Sequence, residues 1–537
     1  MALARRAAAR LAALTSARHY AAAPPPPRNP AYARLTPADV TALTAAAGGE
    51  GGCALTPASD PAALAALNTD WTGAFVGQSS LALRPATVRA VSSILAYCHA
   101  RRLAVVPQGG NTGLVGGGVP VHDEVILSTS RLARVLGVDP AAGTLTAEAG
   151  CTLAAADAAA AVHGLGVPLD IGARGSCAVG GNLATAAGGA RFVRHGPLRA
   201  SVLSLDVVLA DGRLVTLGAD VRKDNTGLDL KQLFVGSEGS LGVIVRATLA
   251  AVPRHAGPPA TAFLSVPSWP AACALLARAR RVLGEALAAF EFLDAPALGM
   301  ALAEVGRGGS GGAGGGGGGG GPAPHPLPSS PDPLFVLVEA AGAEPRHDAE
   351  KMEAFLEGAL AGGEASDGVG AASAAQAAAL WALREGAPLA LKTAGGAVYK
   401  YDVSVPVAGM WAVVEEARRR VAEATGSEGA LASPDTASSH SPPRVVAYGH
   451  LADGNLHLNV SAPGGRFPAL DAALEPWVYE AVSAAGGSLS AEHGVGLLKA
   501  PHLHLAQPPA AIELMRGVKA VFDPRGILNP YKLFPPE

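Results

Sequence analysis

Residues 107–120 read PQGGNTGLVGGGVP, a glycine-rich loop at the end of the apolar run Leu103–Pro107. A strand followed by such a loop also begins a Rossmann dinucleotide site. A Rossmann loop must open a helix whose N-terminus meets the pyrophosphate, whereas Gly116–Gly118, Val119 and Pro120 lead into another apolar run. The stretch therefore argues against a Rossmann fold and predicts a loop that offers backbone N–H groups without a helix.

Two more loops of this composition follow, GARGSCAVGGNLAT at residues 172–185 and GSEGSLG at residues 236–242. Each lies beside a predicted strand. A single glycine cluster is usually an ordinary turn, but three in one domain predict a large cofactor that contacts much of the backbone.

Short apolar strands alternate with these loops as far as Pro253, after which the pattern changes to longer helices between strands. This change predicts a second α+β domain. The predicted strands are Leu103–Pro107, Val125–Ser128, Thr144–Ala147, Val202–Ala210, Val243–Leu249, Thr261–Val266 and Leu334–Val338, and the predicted helices of the second domain are Trp269–Leu283 and Asp348–Leu360.

Length and composition restrict the class of protein. With 537 residues, of which 49% are hydrophobic and 16% charged, the chain is too long for one core, and we expect two or three domains. It has neither an apolar run of membrane-spanning length nor a heptad pattern, which predicts a soluble globular protein. The five cysteines are scattered and lack a C-x-x-C pair, which favours a reducing compartment without a disulfide framework or a thiolate zinc site.

The N-terminus has the composition of an organelle transit peptide. Residues 1–23 carry four arginines among alanine and leucine, and no acidic residue precedes Asp39. We expect mitochondrial import and cleavage after Tyr20, with a disordered alanine-rich tail as the alternative. Removal of these arginines makes the mature protein more acidic than the formal net charge of −3, which argues against nucleic-acid binding.

Three stretches of low complexity interrupt the chain, at residues 306–333, 361–379 and 424–443. The first contains a nearly pure glycine run, which loses much entropy on ordering and has no side chains to pack. We expect a flexible insertion at the first stretch and surface loops at the other two.

A β-hairpin is predicted near the C-terminus, where Asp453-Gly454 separates the apolar runs Val445–Tyr448 and Leu456–Val460. On one unbroken strand, His450 and His457 would point to opposite faces. The turn interrupts the alternation of side chains between the two faces, so the two imidazoles can lie close together on one face.

The segment AEHGVG at residues 491–496 adds Glu492 and His493. Together with the hairpin histidines it offers three metal-type ligands and one spare histidine. Histidine and carboxylate side chains are ligands of zinc, iron and manganese alike. The hairpin histidines alone are explained equally well as structural residues.

With these motifs in this order, the chain resembles the FAD-dependent 2-hydroxy acid dehydrogenases of the vanillyl-alcohol-oxidase type. The resemblance extends from about Thr69 to Phe534. Besides the three loops, the hairpin and the EHGVG segment, the motifs that carry it are KDNTGLDLKQLF at residues 223–234, YKYD at residues 399–402 and DPRGILNP at residues 523–530.

The resemblance implies an α+β fold with two domains. Residues 1–20 would be the transit peptide and residues 21–74 an N-terminal extension. Residues 75–254 would form a vanillyl-alcohol-oxidase (PCMH-type) FAD-binding domain, and residues 255–537 an FAD-linked oxidase C-terminal domain.

The implied cofactor is noncovalent FAD, because the loop Gly109–Gly113 lacks the histidine to which some relatives attach the flavin. In the family the first two glycine loops cradle the pyrophosphate, the third closes on the flavin, and the asparagine at position 529 contacts the isoalloxazine region. The implied FAD-binding residues are Pro107, Gly109, Gly110, Asn111, Thr112, Gly113, Gly172, Gly175, Ser176, Gly180, Gly181, Asn182, Thr185, Glu238, Gly239, Gly242, Ile244 and Asn529.

The resemblance also assigns the histidines and the acidic residue noted above. His450, His457 and Glu492 would bind a divalent metal, zinc in the family, and His493 would be the general base that takes the proton of the substrate hydroxyl.

Arg384 and Lys400 match the family positions that bind the carboxylates of the substrate, and Asn459 matches a position that contacts it. Without the resemblance, both cations would be interpreted as solvated surface charges. Pro388 or a neighbour stands where the family has a substrate-binding threonine, so the implied substrate, (R)-2-hydroxyglutarate oxidised to 2-oxoglutarate, keeps D-lactate as the alternative.

The resemblance further implies electron-transfer flavoprotein or another acceptor as the electron-accepting partner, and the mitochondrial matrix as the location. The sequence leaves the oligomeric state open, with a homodimer as one arrangement. A catalytically silent flavin- or metal-binding protein is the alternative from another functional class.

Overall fold

The computed structural model describes residues 25–255, 257–308, 321–426 and 442–535, which form two compact units. The first unit comprises Pro25–Arg254 and Leu489–Glu537, and the second comprises His255–Ser488. The expected transit peptide lies outside the described residues. So do residues 309–320 of the expected insertion and residues 427–441 of the last low-complexity stretch.

The first unit is built on sheets with strand orders β1-β2-β4-β3, β5-β6-β10-β8-β9 and β11-β7. In the first of these, β2, β4 and β3 run parallel and β1 antiparallel, whereas the five-stranded sheet is antiparallel throughout. The strands are β1 (Cys53–Pro57), β2 (Leu81–Pro85), β3 (Val105–Gln108), β4 (Val125–Ser128), β5 (Val135–Asp139), β6 (Thr144–Glu148), β7 (Leu165–Gly166), β8 (Val202–Val208), β9 (Leu214–Gly218), β10 (Val243–Ala250) and β11 (Val252–Pro253). The strands predicted in this region are confirmed, with ends that move by one or two residues.

The helices of this part are α1 (Pro37–Ala46), α2 (Gly49–Gly52), α3 (Pro61–Asn68), α4 (Val88–Arg101), α5 (Leu153–Ala161), α6 (Val179–Ala184), α7 (Phe192–His195) and α8 (Lys231–Phe234). Helix α4 forms because the Thr87 hydroxyl caps its N-terminus. Its residues Val91, Ile94, Leu95 and Cys98 recur every three or four positions and are fully buried on one face.

The second unit contains one antiparallel sheet with the strand order β15-β12-β14-β13-β17-β18-β16. Its strands are β12 (Ala260–Val266), β13 (Leu287–Asp294), β14 (Leu334–Ala340), β15 (Asp367–Gly370), β16 (Ala397–Ser404), β17 (Arg444–His450) and β18 (Asn455–Ala462). Its helices are α9 (Trp269–Val282), α10 (Ala295–Gly308), α11 (Pro345–Ala361), α12 (Ala374–Thr393), α13 (Val407–Thr425), α14 (Pro468–Leu474) and α15 (Trp477–Ala484).

Helices cover both faces of this sheet. Helices α10 and α12 pack together on the face that carries Leu293 and Tyr448. The neighbouring side chain of Phe292 points to the other face, where its ring meets Trp269 of α9 edge-on at 5.3 Å between centroids. The predicted α+β character of this region is confirmed.

The low-complexity stretch at residues 361–379 was expected to be a loop, and this prediction is wrong for most of its length. Strand β15 pairs with β12, and α12 begins at Ala374 with the Ser373 hydroxyl as its cap. Alanine has the highest helix propensity, so an alanine-rich run after a serine cap forms a helix once one face can pack.

The C-terminal residues 489–535 belong to the first unit, although the sequence analysis assigned them to the C-terminal domain. They include α16 (Leu503–Ala506) and α17 (Pro509–Phe522). Beyond α17 the chain runs parallel to β3: the Val105 N–H donates to Ile527 O and the Asn529 N–H donates to Val105 O, both at 2.8 Å. Within the described ranges, no helix is long and apolar enough to cross a membrane.

Candidate active site

The first glycine loop leaves β3 and reaches β4 without a helix, so the exclusion of a Rossmann loop is confirmed. Its backbone packs directly on the second loop. A Cβ at Gly110 would stand 2.0 Å from Ser176 O, and one at Gly109 would be 3.5 Å from the Cα of Gly181. Only glycine allows this approach at Gly110.

The second loop is not entirely a loop, because it contains the one-and-a-half-turn helix α6. Gly180 lies against the Ala149 Cβ, which a Cβ at position 180 would meet at 2.5 Å. The hydroxyl of Thr185 donates to Gly181 O at 3.1 Å, and the Asn182 amide lies 3.5 Å from the Cys177 sulfur. These side chains therefore hold the loop itself together.

The third loop turns through three left-handed residues, Gly236 (φ +85°), Glu238 (φ +53°) and Gly239 (φ +72°). A Cβ on Gly239 would be 3.1 Å from the ring of Pro107, so this loop lies against the end of β3. Gly242 has no space for a side chain beside Val207, and Ile244 is buried in β10.

A second group of glycines is not explained by packing within the chain. Gly113, Gly172, Gly175 and Gly181 lie outside the positive-φ region, and a Cβ at each would meet no atom within 4 Å. A ligand that approaches the backbone closely explains glycine at such positions. The loops therefore fit a cofactor such as FAD, with Thr112 and the left-handed Asn111 beside Gly113.

The segment at residues 490–496 is fastened to the third glycine loop by Glu238. The two oxygens of this buried carboxylate accept the N–H groups of Val495 at 2.6 Å and Gly496 at 2.8 Å. Burial nevertheless raises the pKa of Glu238 above its ordinary value. The Ser490 hydroxyl closes the turn on Gly494 O at 2.6 Å.

Glu492 and His493 lie in this fastened segment, and both are half-buried. The side chain of Glu492 rests on Gly188, where a Cβ would stand 2.9 Å from the Glu492 Oε2.

The C-terminal turn joins the first and third glycine loops through Asn529, which has a φ of +43°. Its amide donates to Gly117 O at 3.1 Å and to Glu238 O at 2.6 Å. Lys532 adds hydrogen bonds to Gly117 O at 3.1 Å and to the Asn529 Oδ1 at 2.8 Å. Burial lowers the pKa of Lys532 to about 7. The sequence analysis missed Lys532.

The predicted hairpin is confirmed in the second unit. Strands β17 and β18 pair antiparallel, and the turn between them closes at Gly454, whose φ is +79°. The ring centroids of His450 and His457 lie 5.4 Å apart, as predicted for two histidines separated by a turn. Leu456 and Leu458 are fully buried on the opposite face of β18.

Each of these histidines has a carboxylate beside its Nδ1. The His450 Nδ1 lies 2.8 Å from Glu291 on β13, and the His457 Nδ1 lies 3.5 Å from Asp402 on β16. Histidines that ligate metals through Nε2 commonly use Nδ1 in this way. The donor set on this face therefore fits a divalent metal.

Arg384 lies on α12 and is only 7% exposed, so it is not a solvated surface charge. Its Nε is 2.9 Å from the Glu291 Oε2, and its guanidinium carbon is 5.0 Å from the centre of the Tyr448 ring. Although burial raises the pKa of Glu291, the charges of His450 and Arg384 outweigh this effect and lower it below its ordinary value.

Lys400 and Asn459 are paired across β16 and β18. This pair lies two residues along each strand from the pair Asp402 and His457. Asn459 is 3% exposed, and its amide donates to His457 O at 3.1 Å. Lys400, His450, His457 and Asn459 thus share one sheet face, the face against which helix α12 packs.

Glu291 was missed by the sequence analysis, although the segment AAFEFLD at residues 288–294 contains a signal. A glutamate inside an otherwise apolar strand needs a buried partner. The partners themselves, Arg384 and His450, lie far along the chain, so sequence spacing does not identify them.

Comparison with known proteins places both parts of the chain in flavoenzyme families. Residues 79–218 match the family described as FAD binding domain, and residues 258–533 match the FAD linked oxidases, C-terminal domain. A Bos taurus protein named D-2-hydroxyglutarate dehydrogenase, mitochondrial, is 44% identical over 89% of this chain and 81% of its own.

Another relative, from Schizosaccharomyces pombe, is 41% identical over 94% of this chain and 91% of its own, and is provisionally named as a mitochondrial D-lactate dehydrogenase. Among solved structures, p-cresol methylhydroxylase with substrate bound superposes with a TM-score of 0.69 at 13% identity, over 93% of this chain and 97% of that chain. This likeness shows the fold, that of the PCMH-type flavoproteins. The chain therefore belongs to the FAD-linked oxidase family that contains the mitochondrial D-2-hydroxyglutarate dehydrogenases, and it is an FAD-dependent oxidoreductase.

Proposed function

We propose that this protein oxidises (R)-2-hydroxyglutarate to 2-oxoglutarate. The names of its relatives support FAD-dependent oxidation of a 2-hydroxy acid. The observation that carries the choice of an acidic substrate is the buried guanidinium of Arg384. Its Nη2 makes no hydrogen bond to any described part of the chain, and a buried donor of this kind calls for an acceptor such as a carboxylate.

Arg384 and Lys400 bind the carboxylates of the substrate in this proposal. The guanidinium can grip a carboxylate with two hydrogen bonds, and the ammonium adds a point charge. Asn459, which is paired with Lys400 across the strands, also contacts the substrate in this proposal.

FAD, when bound, would supply the hydride acceptor for the substrate carbon, and a divalent metal such as zinc would lower the pKa of the substrate hydroxyl. His450, His457 and Glu492 would hold the metal. The position of Glu291 favours the His450 tautomer that presents Nε2 as the ligand atom. The carboxylate of Glu492 completes the ligand set in the family resemblance.

His493 takes the proton of the hydroxyl as the general base. Glu238 supports this role because it fixes the backbone two and three residues beyond His493. A base must lie within hydrogen-bond reach of the proton that it removes, so a firmly held segment favours catalysis.

The alternative is a D-lactate dehydrogenase of the same fold, as the name of the Schizosaccharomyces pombe relative suggests. Pro388 favours this alternative, since Pro388 or a neighbouring residue stands where the family carries a substrate-binding threonine. Pro388 lies inside α12. Proline has no N–H for the carbonyl of Arg384, four residues earlier, so it also alters the helix at the proposed anion-binding residue.

Electron-transfer flavoprotein is the proposed acceptor and the mitochondrial matrix the proposed location, both from the family resemblance and the mitochondrial names of the relatives. A homodimer stays a prediction.

An anaerobic screen of D-2-hydroxy acids tests the proposal. We expect (R)-2-hydroxyglutarate to bleach the flavin absorbance and D-lactate to do so at much higher concentration. Bleaching by D-lactate alone would establish the alternative. The absence of bleaching by any 2-hydroxy acid in zinc-loaded protein would identify a silent binding protein.

The role of Arg384 is tested by Arg384→Lys against the control Arg418→Lys. Arg418 also pairs with a buried acid, Asp294, at 2.7 Å, and its guanidinium carbon lies 4.9 Å from the ring of Trp411. We expect the substrate concentration for half-maximal reduction to rise about tenfold or more in the first variant and to stay unchanged in the control, since only Arg384 loses a bidentate partner.

A further inference from the structure

Glu291 occupies a central position in the second unit, and its proposed effect on His450 accounts for only one of its two partners. It lies on β13 in the middle of the seven-stranded sheet, paired with Leu337 on one side and His450 on the other. It is 1% exposed. A buried carboxylate is unfavourable unless charged or hydrogen-bonding partners surround it, so its contacts indicate what it does.

Its two partners come from different elements and have different proposed tasks. The His450 Nδ1 lies 2.8 Å from the carboxylate and belongs to the proposed metal ligand set. The Arg384 Nε lies 2.9 Å from the Glu291 Oε2 and belongs to the proposed anion-binding group.

The rest of the Arg384 guanidinium has a different environment. Tyr448 lies beneath it, while Nη2 is buried and makes no hydrogen bond within the described ranges. Glu291 thus forms an ion pair with the Nε of Arg384, without a well-directed hydrogen bond, and Nη2 is left for a ligand oxygen.

We propose that Glu291 is a positioning residue that couples the two halves of the substrate site, holding Arg384 for the carboxylate and His450 for the metal at the same time. This inference rests on the proposed function. It predicts that metal affinity and anion affinity depend on the same carboxylate, because loss of the charge at position 291 releases both partners together.

Glu291→Gln tests the coupling, since the side chain keeps its size but loses its charge, and its single carbonyl oxygen cannot satisfy both partners. We expect the dissociation constant for Zn²⁺, measured by competition with a chromogenic chelator, to rise about 10- to 100-fold. We expect the dissociation constant for 2-oxoglutarate, followed by perturbation of the flavin absorbance, to rise about tenfold. Flavin content should stay unchanged.

Glu339→Gln is the matched control. Glu339 lies on the neighbouring strand β14, is 2% exposed, and accepts a hydrogen bond at 2.6 Å from Trp381 on the same helix as Arg384. Both dissociation constants should match the wild type in this variant, even if the melting temperature falls.

The outcomes distinguish a failure of the proposed coupling from a failure of the proposed function. If the wild type binds neither Zn²⁺ nor 2-oxoglutarate, the proposed function fails, and the inference with it. If the wild type binds both and Glu291→Gln weakens neither, or only one, the coupling is wrong while the function stands. Should Glu291→Gln fail to fold, Glu291→Asp provides the same test, because the shorter carboxylate cannot reach both partners.

Discussion

The Glu238 Oε2 accepts the backbone N–H of Gly496 at 2.8 Å, which joins the third glycine loop to the segment that carries Glu492 and His493. Both glutamate oxygens are used in this way, since Oε1 accepts the N–H of Val495. Glu238 also adopts a left-handed backbone conformation that is rare outside glycine. Glu238 was also predicted to contact FAD, which stays a prediction; in the structure its carboxylate is hydrogen-bonded to the chain itself.

Glu238→Gln should therefore slow flavin reduction by substrate while FAD stays bound. The amide can accept only one of the two N–H groups, so the segment that contains His493 loses one of its two ties to Glu238, and we expect a loss of about 1–3 kcal/mol in stability. Stopped-flow reduction and thermal melting measure the two effects.

The control is Glu124→Gln, since Glu124 is also buried and accepts the N–H groups of Val121 and His122. One oxygen of Glu124, Oε2, accepts both N–H groups, and the amide oxygen of glutamine can keep them. This variant should therefore lose little stability and keep its reduction rate. Equal reduction rates in the two variants would show that Glu238 has no special role for His493.

His493→Ala should slow flavin reduction by about 100-fold or more, the usual scale for loss of a general base. FAD should remain bound. The control His504→Ala changes an exposed histidine whose Nδ1 contacts Pro501 O. Unchanged reduction kinetics in His493→Ala, measured under anaerobic stopped flow, would remove His493 from the mechanism.

Removal of divalent metal by a chelator should abolish reduction by substrate and leave the flavin spectrum unchanged. The reason is that the substrate hydroxyl, without the metal, keeps its high pKa. Added Zn²⁺ should restore the rate in wild type but not in His450→Ala. Full activity in metal-free protein, verified by elemental analysis, would contradict the metal proposal.

Pro388→Thr should shift the ratio of kcat/KM for (R)-2-hydroxyglutarate over D-lactate upward by about tenfold, the equivalent of one hydrogen bond to a charged group. Pro388→Ala is the matched control, because it restores the N–H to the carbonyl of Arg384 without adding a hydroxyl. An equal shift in both variants would attribute the effect to helix geometry rather than to the hydroxyl.

Lys532→Met should alter the pH dependence of stability. Burial lowers the pKa of Lys532 to about 7, far below that of an unfolded lysine. The contribution of Lys532 to the free energy of unfolding is therefore most favourable above the pKa of lysine in the unfolded chain. This contribution is lost as the pH falls towards 7. The stability of wild type relative to Lys532→Met should rise from pH 7 to pH 9. Lys223→Met, at an exposed position, should show no such trend in thermal melts.

Local chemistry made part of the site predictable. The turn Asp453-Gly454 requires a residue that tolerates positive φ, and its glycine is observed at +79°. The strand period then determines which side chains share a face, which is why the meeting of His450 and His457 could be predicted. The observed strands extend beyond the predicted apolar runs because pairing with β13 and β16 continues through the polar residues.

Other features depended on packing between distant segments. The short helix α6 and the first six residues of helix α12 (374–379) lie in stretches that composition alone suggested were loops. Helix α12 packs against α10. The burial of Arg384 could not be derived from its helix either, because an arginine on a helix is usually solvated.

The order of motifs in this chain was sufficient to identify the flavoenzyme family, to exclude a Rossmann loop and to predict the hairpin, since turns and strand alternation are properties of neighbouring residues. The partners of the buried charges required the folded chain. Glu291 is 159 residues from His450 in sequence, and a buried carboxylate is stable only where the packing of a sheet and a helix brings opposite charges to it.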